Sequence, residues 1–148
     1  MIRSTLAVVA GLVVLTIVSF AIEAAANPLL MHLFPSALPD AAALAGNFPA
    51  RLFMLAYTMF SIVVGGYVTA WIARRAQIIH AAIMGIIEVA FTLYVMIAAP
   101  FSEVHHAPRW GWIAGIILMI PAACLGAAIR VKQAPPSGKQ TFNARRRT

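Results

Sequence analysis

The sequence predicts an all-α membrane protein: a bundle of four antiparallel transmembrane helices with both termini cytoplasmic. Three observations predict it. First, 62% of the 148 residues are hydrophobic and only 10% are charged, against about 25% charged in an ordinary soluble domain. A water-soluble core of this size could not hide that much apolar surface. Second, four stretches reach the ~20 residues an α-helix needs to cross a ~30 Å hydrocarbon layer. Third, the charge is one-sided. Arg3, Arg74, Arg75, Arg130, Lys132, Lys139, Arg145, Arg146 and Arg147 fall on one side of a four-span arrangement, and Arg51 and Arg109 fall on the other. This is the positive-inside pattern of multi-pass membrane proteins, and it predicts both termini in the cytoplasm. The net charge of +7 therefore reads as topology and as attraction to anionic lipid headgroups. No nucleic-acid partner is expected, because no recognition motif accompanies the basic residues.

The first span is expected over 6–26. Arg3, the apolar run and Ala24-Ala25-Ala26 also resemble a secretory signal with a small-residue cleavage site. The length of the run, and Glu23 just before the alanines, favour a retained span. The outer segment 27–50 carries Pro28, Pro35, Pro39 and Pro49 among apolar residues. The prolines predict a break in helix there, and the apolar residues predict a segment lying in the outer interface or folded over the bundle. Asp40 is placed to cap a short helix over 41–45.

The second span is expected over 52–73 and the third over 78–99. The four-residue connection between them, Arg74 to Gln77, makes them neighbours. The fourth span, 110–129, follows a connection ending in Pro108, which suits a first helical turn. Trp110 and Trp112 are expected at headgroup level beside it, and Trp71 at the inner boundary. From Val131 the chain turns polar and basic, so 131–148 is expected to be a disordered cytoplasmic tail. Arg74, Arg75, Arg145, Arg146 and Arg147 are the candidates for contact with anionic headgroups, each worth about 1 kcal/mol near the surface.

Within these spans Glu88 carries the strongest functional signal. A carboxyl near the bilayer midplane costs about 2.5–3.5 kcal/mol on insertion scales and is placed where it works or is satisfied. Ala81, Gly85, Glu88 and Thr92 share one helical face, so Glu88 is expected to point into the bundle. Thr16, Ser19 and Glu23 form a polar stripe on the first helix, and Arg51, Thr58, Ser61, Gly65 and Thr69 one on the second. Gly111, Gly115, Ala122 and Gly126 make a small-residue face on the fourth. Ser61, or the Ile117 carbonyl freed by Pro121, is the expected partner of Glu88, with Thr58 and Thr92 in the same polar set. Glu23 and Arg51 are expected to form an ion pair in the outer leaflet.

Other chemistries find little support. Glu103, His105 and His106, with His32, are the nearest approach to a metal-ligand set, but no conventional zinc spacing is met. Cys124 is the single cysteine, which excludes an intramolecular disulfide and a CxxC redox site. No phosphate loop, nucleophile elbow or HExxH motif occurs. No cofactor and no enzymatic activity are expected.

The stretch Gly65-Gly66-Tyr67-Val68-Thr69-Ala70-Trp71-Ile72-Ala73-Arg74-Arg75 closes the second helix. It resembles the GGYxxAxxAR ending of uncharacterised small bacterial inner-membrane proteins with four helices. Glu23, His80, Pro108 with Trp110, and Pro121 with Gly126 extend the likeness over most of the chain outside the tail. The resemblance implies fold and location only, since that group has no assigned activity to carry over. Small multidrug exporters also have four helices and a membrane Glu, but theirs lies in the middle of the first helix, whereas Glu23 lies near its outer end.

The expectation for function is an accessory or structural membrane protein. It would associate through its small-residue faces with itself or with a larger membrane partner. The alternative is a small proton- or cation-coupled transporter or channel-like protein with Glu88 as the coupling carboxylate.

Overall fold

A computed structural model describes residues 2–73, 75–98 and 109–133. Its elements are α1 (Ile2–Leu33), α2 (Ala41–Gly46), α3 (Phe48–Ala73), α4 (Gln77–Ala98) and α5 (Arg109–Gln133). No strand occurs among the described residues. Four of the five helices, all but α2, are long and apolar enough to cross a membrane. Their outward faces carry large apolar side chains such as Ile17, Phe20, Phe60, Ile86 and Ile97, a surface suited to lipid.

The first helix departs from expectation. The predicted break after residue 26 is absent, and α1 continues through Pro28 to Leu33. An interior proline loses one backbone hydrogen bond and costs about 3 kcal/mol. The extra turn gains packing in return: Leu30 and Met31 lie against a cluster of Leu38, Leu44 and Ala50, with Met54 of α3. Pro35 then ends the helix, since the residue before a proline is driven out of helical geometry.

The next segment folds back as a compact turn rather than an open loop. The Ala37 and Leu38 amides both donate to the Phe34 carbonyl, at 3.1 and 2.8 Å. Asp40 caps α2 as expected, its carboxylate accepting from the Ala43 amide at 2.7 Å. Asn47 closes α2 and starts α3, accepting from the Ala50 amide at 3.1 Å. Pro49 sits in the first turn of α3, where its missing N–H is harmless. Replacing Asp40 with Ala should destabilise this cover by about 1 kcal/mol. Faster amide exchange confined to residues 41–46, with the long helices unchanged, would be the sign of it.

Between α3 and α4 the chain turns at Ala76, which has a φ of 49°. That left-handed conformation is uncommon for a residue with a Cβ. The turn is held by His80, whose amide donates to the Ala76 carbonyl at 3.1 Å and whose Nδ1 lies 2.9 Å from the same oxygen. At the far end, α5 runs to Gln133, so the first residues of the expected disordered tail are helical. Arg130 and Lys132 fall in the last turn, where cations oppose the helix dipole. Tyr67 Oη donates to Gln133 Oε1 at 2.8 Å.

Helix packing rests on small residues. An added Cβ on Gly66 would strike the Ala123 carbonyl, and one on Gly126 the Val63 carbonyl, so α3 and α5 touch backbone to backbone. On Gly11 it would strike Thr69 Oγ1, and on Gly65 it would come within 2.8 Å of Leu15 Cβ, which draws α1 against α3. On Gly85 it would come within 3.1 Å of Ile120 Cα, where α4 meets α5. Lipid tails are as apolar as leucine, so close packing of this kind, rather than hydrophobic burial, holds membrane helices together. Ile62, Met84, Ser61 and Thr69 are fully buried at the centre of these crossings.

Candidate functional site

A cavity of about 390 Å³ lies in the bundle toward the α2 end. All four long helices line it. From α1 come Ser19 and Glu23; from α3, Arg51, Tyr57 and Thr58; from α4, Glu88 and Thr92; from α5, Gly111, Trp112, Gly115 and Met119. Apolar lining comes from Met54, Leu55, Met59, Phe91 and Val95. The volume is in the range of small-molecule sites, which combine apolar walls with a few placed polar groups.

The relative depths of the charged groups follow from helix register. Arg51 adjoins Gly111, and Leu55 approaches Gly115. Gly85 adjoins Ile120 and Ala123, and Gly65 adjoins Leu15. At 1.5 Å per residue, Glu88 lies level with Thr58 and Ser19, about 10 Å along the axis from Arg51, and Glu23 falls between. The cavity thus holds a guanidinium near its α2 end, a carboxylate at mid-depth and a second carboxylate near the middle of the bundle.

Arg51 is held in a particular way. Its guanidinium lies 5.4 Å from the Trp112 ring centroid, a cation–π distance. Gly111 makes room for it: a Cβ there would stand 2.8 Å from Arg51 Nε. The expected direct ion pair with Glu23 is not present among the described residues. The two groups share the cavity instead, because Gly111 and Trp112 give the Arg51 side chain a seat on α5. Trp112, expected in the headgroup belt, lines this cavity, and its Nε1 is buried without a partner. Trp110 does lie at the start of α5, packed on Phe48 with ring centroids 5.1 Å apart.

The expected hydroxyl partners of Glu88 are engaged elsewhere. Ser61 is fully buried and donates to the Tyr57 carbonyl of its own helix at 2.9 Å; it does not line the cavity. Thr58 donates to the Met54 carbonyl at 2.9 Å. Thr92 donates to Met119 Sδ at 3.8 Å. Helical Thr and Ser commonly bond the carbonyl four residues back, which is why the hydroxyls of α3 turn inward to their own backbone. Thr16 does the same, with the Leu12 carbonyl at 2.8 Å on an exposed face, so it drops out of the polar stripe that Ser19 and Glu23 continue.

The remaining sequence candidates lie apart from the cavity. Arg75 is exposed in the α3–α4 turn. Arg74, Glu103, His105, His106, Arg145, Arg146 and Arg147 lie outside the described residues. Among the described residues no group of three or more His, Cys, Asp or Glu side chains could hold a metal ion. Sequence reasoning missed Tyr57 and Trp112 as cavity residues. Each flanks a position on a recognised face, Tyr57 beside Thr58 and Trp112 beside Gly111, and that adjacency was the available signal.

The fold and site define a class: an all-α bundle of four long helices, each long and apolar enough to span a membrane, around a largely apolar cavity that carries a few polar and charged side chains. No protein-family model, curated protein or solved structure matches the chain.

Proposed function

We propose that the protein is a small multi-pass protein of the bacterial inner membrane whose cavity binds a small polar solute, with Glu88 as the carboxylate that couples binding to a proton or another cation. The four long helices alternate in direction across the bilayer and both termini face the cytoplasm. In support of that topology, Arg51 adjoins Gly111 and Tyr67 bonds Gln133, while Gly85 adjoins Ile120. Arg75, Arg130 and Lys132 sit at the ends of helices remote from the cavity, where anionic headgroups would meet them.

One observation carries the functional reading: all four long helices converge on a cavity that presents Glu88 near mid-bundle. A carboxyl serving only to join two helices would be expected in a packed contact, hydrogen-bonded to the neighbour. Here the nearby hydroxyls of Thr58, Ser61 and Thr92 donate to other acceptors, and Glu88 faces space. The cost of placing a carboxyl at this depth is then offset by a ligand or proton that it meets.

The second reading is an accessory protein that associates with itself or a larger membrane partner. It drew on the small-residue faces, and Gly65, Gly66, Gly85, Gly111, Gly115 and Gly126 are buried within the bundle. Association would then have to use the large apolar faces, which favour lipid equally well. That supports the cavity reading over this one.

The test is difference infrared spectroscopy of the reconstituted full chain, with Glu88→Gln beside the wild type. Gln keeps the shape of the side chain, so the variant should fold. A carboxyl band that responds reversibly to bulk pH, and is missing in Glu88→Gln, is the expected result. A Glu88 band indifferent to pH and to every solute would remove the coupling role.

A further inference from the structure

Hydrogen-bond direction around Glu88 narrows what the cavity can take. Thr58 gives its hydrogen to the Met54 carbonyl, and Thr92 gives its hydrogen to Met119 Sδ. Each hydroxyl has one donor and two acceptor lone pairs, so both threonines retain acceptor capacity toward the cavity they line. Glu88 lies level with Thr58 and one turn from Thr92 on its own helix. An ionised carboxylate is an acceptor only. Ser19, at similar depth, can turn its hydroxyl either way. The middle of the bundle is therefore a region of oxygen acceptors short of donors. At the other end, Arg51 and the unpartnered Trp112 Nε1 supply donors.

Charge runs the same way. Two carboxylates, Glu23 and Glu88, stand against one guanidinium in the cavity. Arg51 stands about 10 Å along the axis from Glu88, so the cavity offers Glu88 no cation at its own depth. An unpaired carboxylate in a low-dielectric site is costly, so Glu88 either holds a proton or meets a cation, and a cationic occupant favours the ionised, accepting form.

We propose that the cavity binds a small organic primary amine, its ammonium group donating to Glu88, Thr58 and Thr92. The proposal rests on the cavity reading above and names its ligand class. An alkylammonium has three N–H donors, matching three acceptor sites. A bare alkali or alkaline-earth ion fits less well. Such ions take six or more oxygen ligands when calcium-like, whereas the cavity interleaves its few oxygens with the thioethers of Met54, Met59 and Met119. The volume of about 390 Å³ also leaves room for an organic body against Phe91, Val95 and Leu55.

The experiment perfuses n-butylammonium over proteoliposomes of the full chain at fixed pH and follows the Glu88 carboxyl band by difference infrared spectroscopy. The comparison probes are n-butyltrimethylammonium, which has no N–H, and sodium ion. Butylammonium should shift the band and saturate, and the trimethylated analogue should bind at least about tenfold more weakly, since hydrogen bonds to charged groups carry that much affinity. Thr92→Val, which preserves shape, should weaken butylammonium by a similar factor while leaving thermal unfolding near wild type. Equal responses to the two amines, or a response to sodium alone, would overturn the amine assignment. So would unchanged affinity in Thr92→Val. A band that responds to pH but to neither amine would defeat this inference and leave the coupling role of Glu88 standing. A band that responds to nothing would defeat both.

Discussion

Gly126→Val should prevent the bundle from closing. The Cβ position of Gly126 falls on the Val63 carbonyl, with the Tyr67 amide also within 2.8 Å. Those are backbone atoms, so no rotamer change can make room. Relief requires α3 and α5 to separate along the crossing that Gly66 and Ala123 also form. Overpacking a close-packed interior typically costs 1–3 kcal/mol where side chains can shift; with backbone on both sides the cost should reach about 3 kcal/mol or more. A protein in lipid has little apolar driving force to resist that separation. Gly66→Val should behave alike, because its Cβ would meet Ala123 backbone atoms. Gly46→Ala is the control, with open space around the added methyl. Detergent-resolved thermal unfolding, followed by tryptophan fluorescence, should show the two core variants largely unfolded and Gly46→Ala close to wild type. Near-wild-type melting of Gly126→Val would mean that the α3–α5 contact is not as close as described.

Met84→Ala should give the second-largest loss. Met84 is fully buried in the central cluster with Leu15, Ile62 and Ala123. Its Sδ lies 3.3 Å from Thr69 Oγ1, whose hydrogen goes to the Gly65 carbonyl at 2.9 Å, and approaches the Cβ positions of Gly11 and Gly65. Truncation leaves a void where α1, α3 and α4 meet. Large-to-small substitutions in soluble cores cost about 2–5 kcal/mol, part transfer and part cavity. In lipid the transfer part shrinks, since the lipid-separated state is also apolar, so the cavity and lost dispersion contacts should leave about 2 kcal/mol. The neighbouring Ile86→Ala lies on an exposed face and should cost under about 0.5 kcal/mol. Equal losses at the two positions would show that burial inside the bundle does not set stability here.

The spans were legible because hydropathy and length are local properties. The helices α1, α3 and α5 contain the stretches 6–26, 52–73 and 110–129, α4 runs over Gln77–Ala98 against an expected 78–99, and the α2 cap at Asp40 follows from one residue's side chain. Boundaries drifted where distant packing intervened. Leu30 and Met31 carry α1 through Pro28 because Leu38 and Leu44 fold back onto them, and no window over residues 26–33 contains that information. Tyr67 reaches Gln133 at the end of α5 by a contact 66 residues apart.

The candidate site was legible only as faces. Spacing placed Glu88 and Thr92 on one stripe and Arg51 and Thr58 on another, and these four residues do line one cavity. Spacing also assigned Ser61 to Glu88 and Glu23 to Arg51. Both pairings depended on where each side chain finds its nearest acceptor or seat. For Ser61 that is the carbonyl one turn back; for Arg51 it is the gap left by Gly111 and the face of Trp112.

By itself, then, this sequence determined the solvent it suits, the number of long apolar helices and the faces those helices turn inward. A helix crosses lipid by satisfying its own backbone, so those properties reside in each segment alone. Only the tertiary structure decided the depth at which Arg51, Glu23 and Glu88 stand relative to one another, and that space remains between them. That register is set where Gly66 meets Ala123 and Gly126 meets Val63, contacts between backbones whose sequence signature is merely the absence of a side chain.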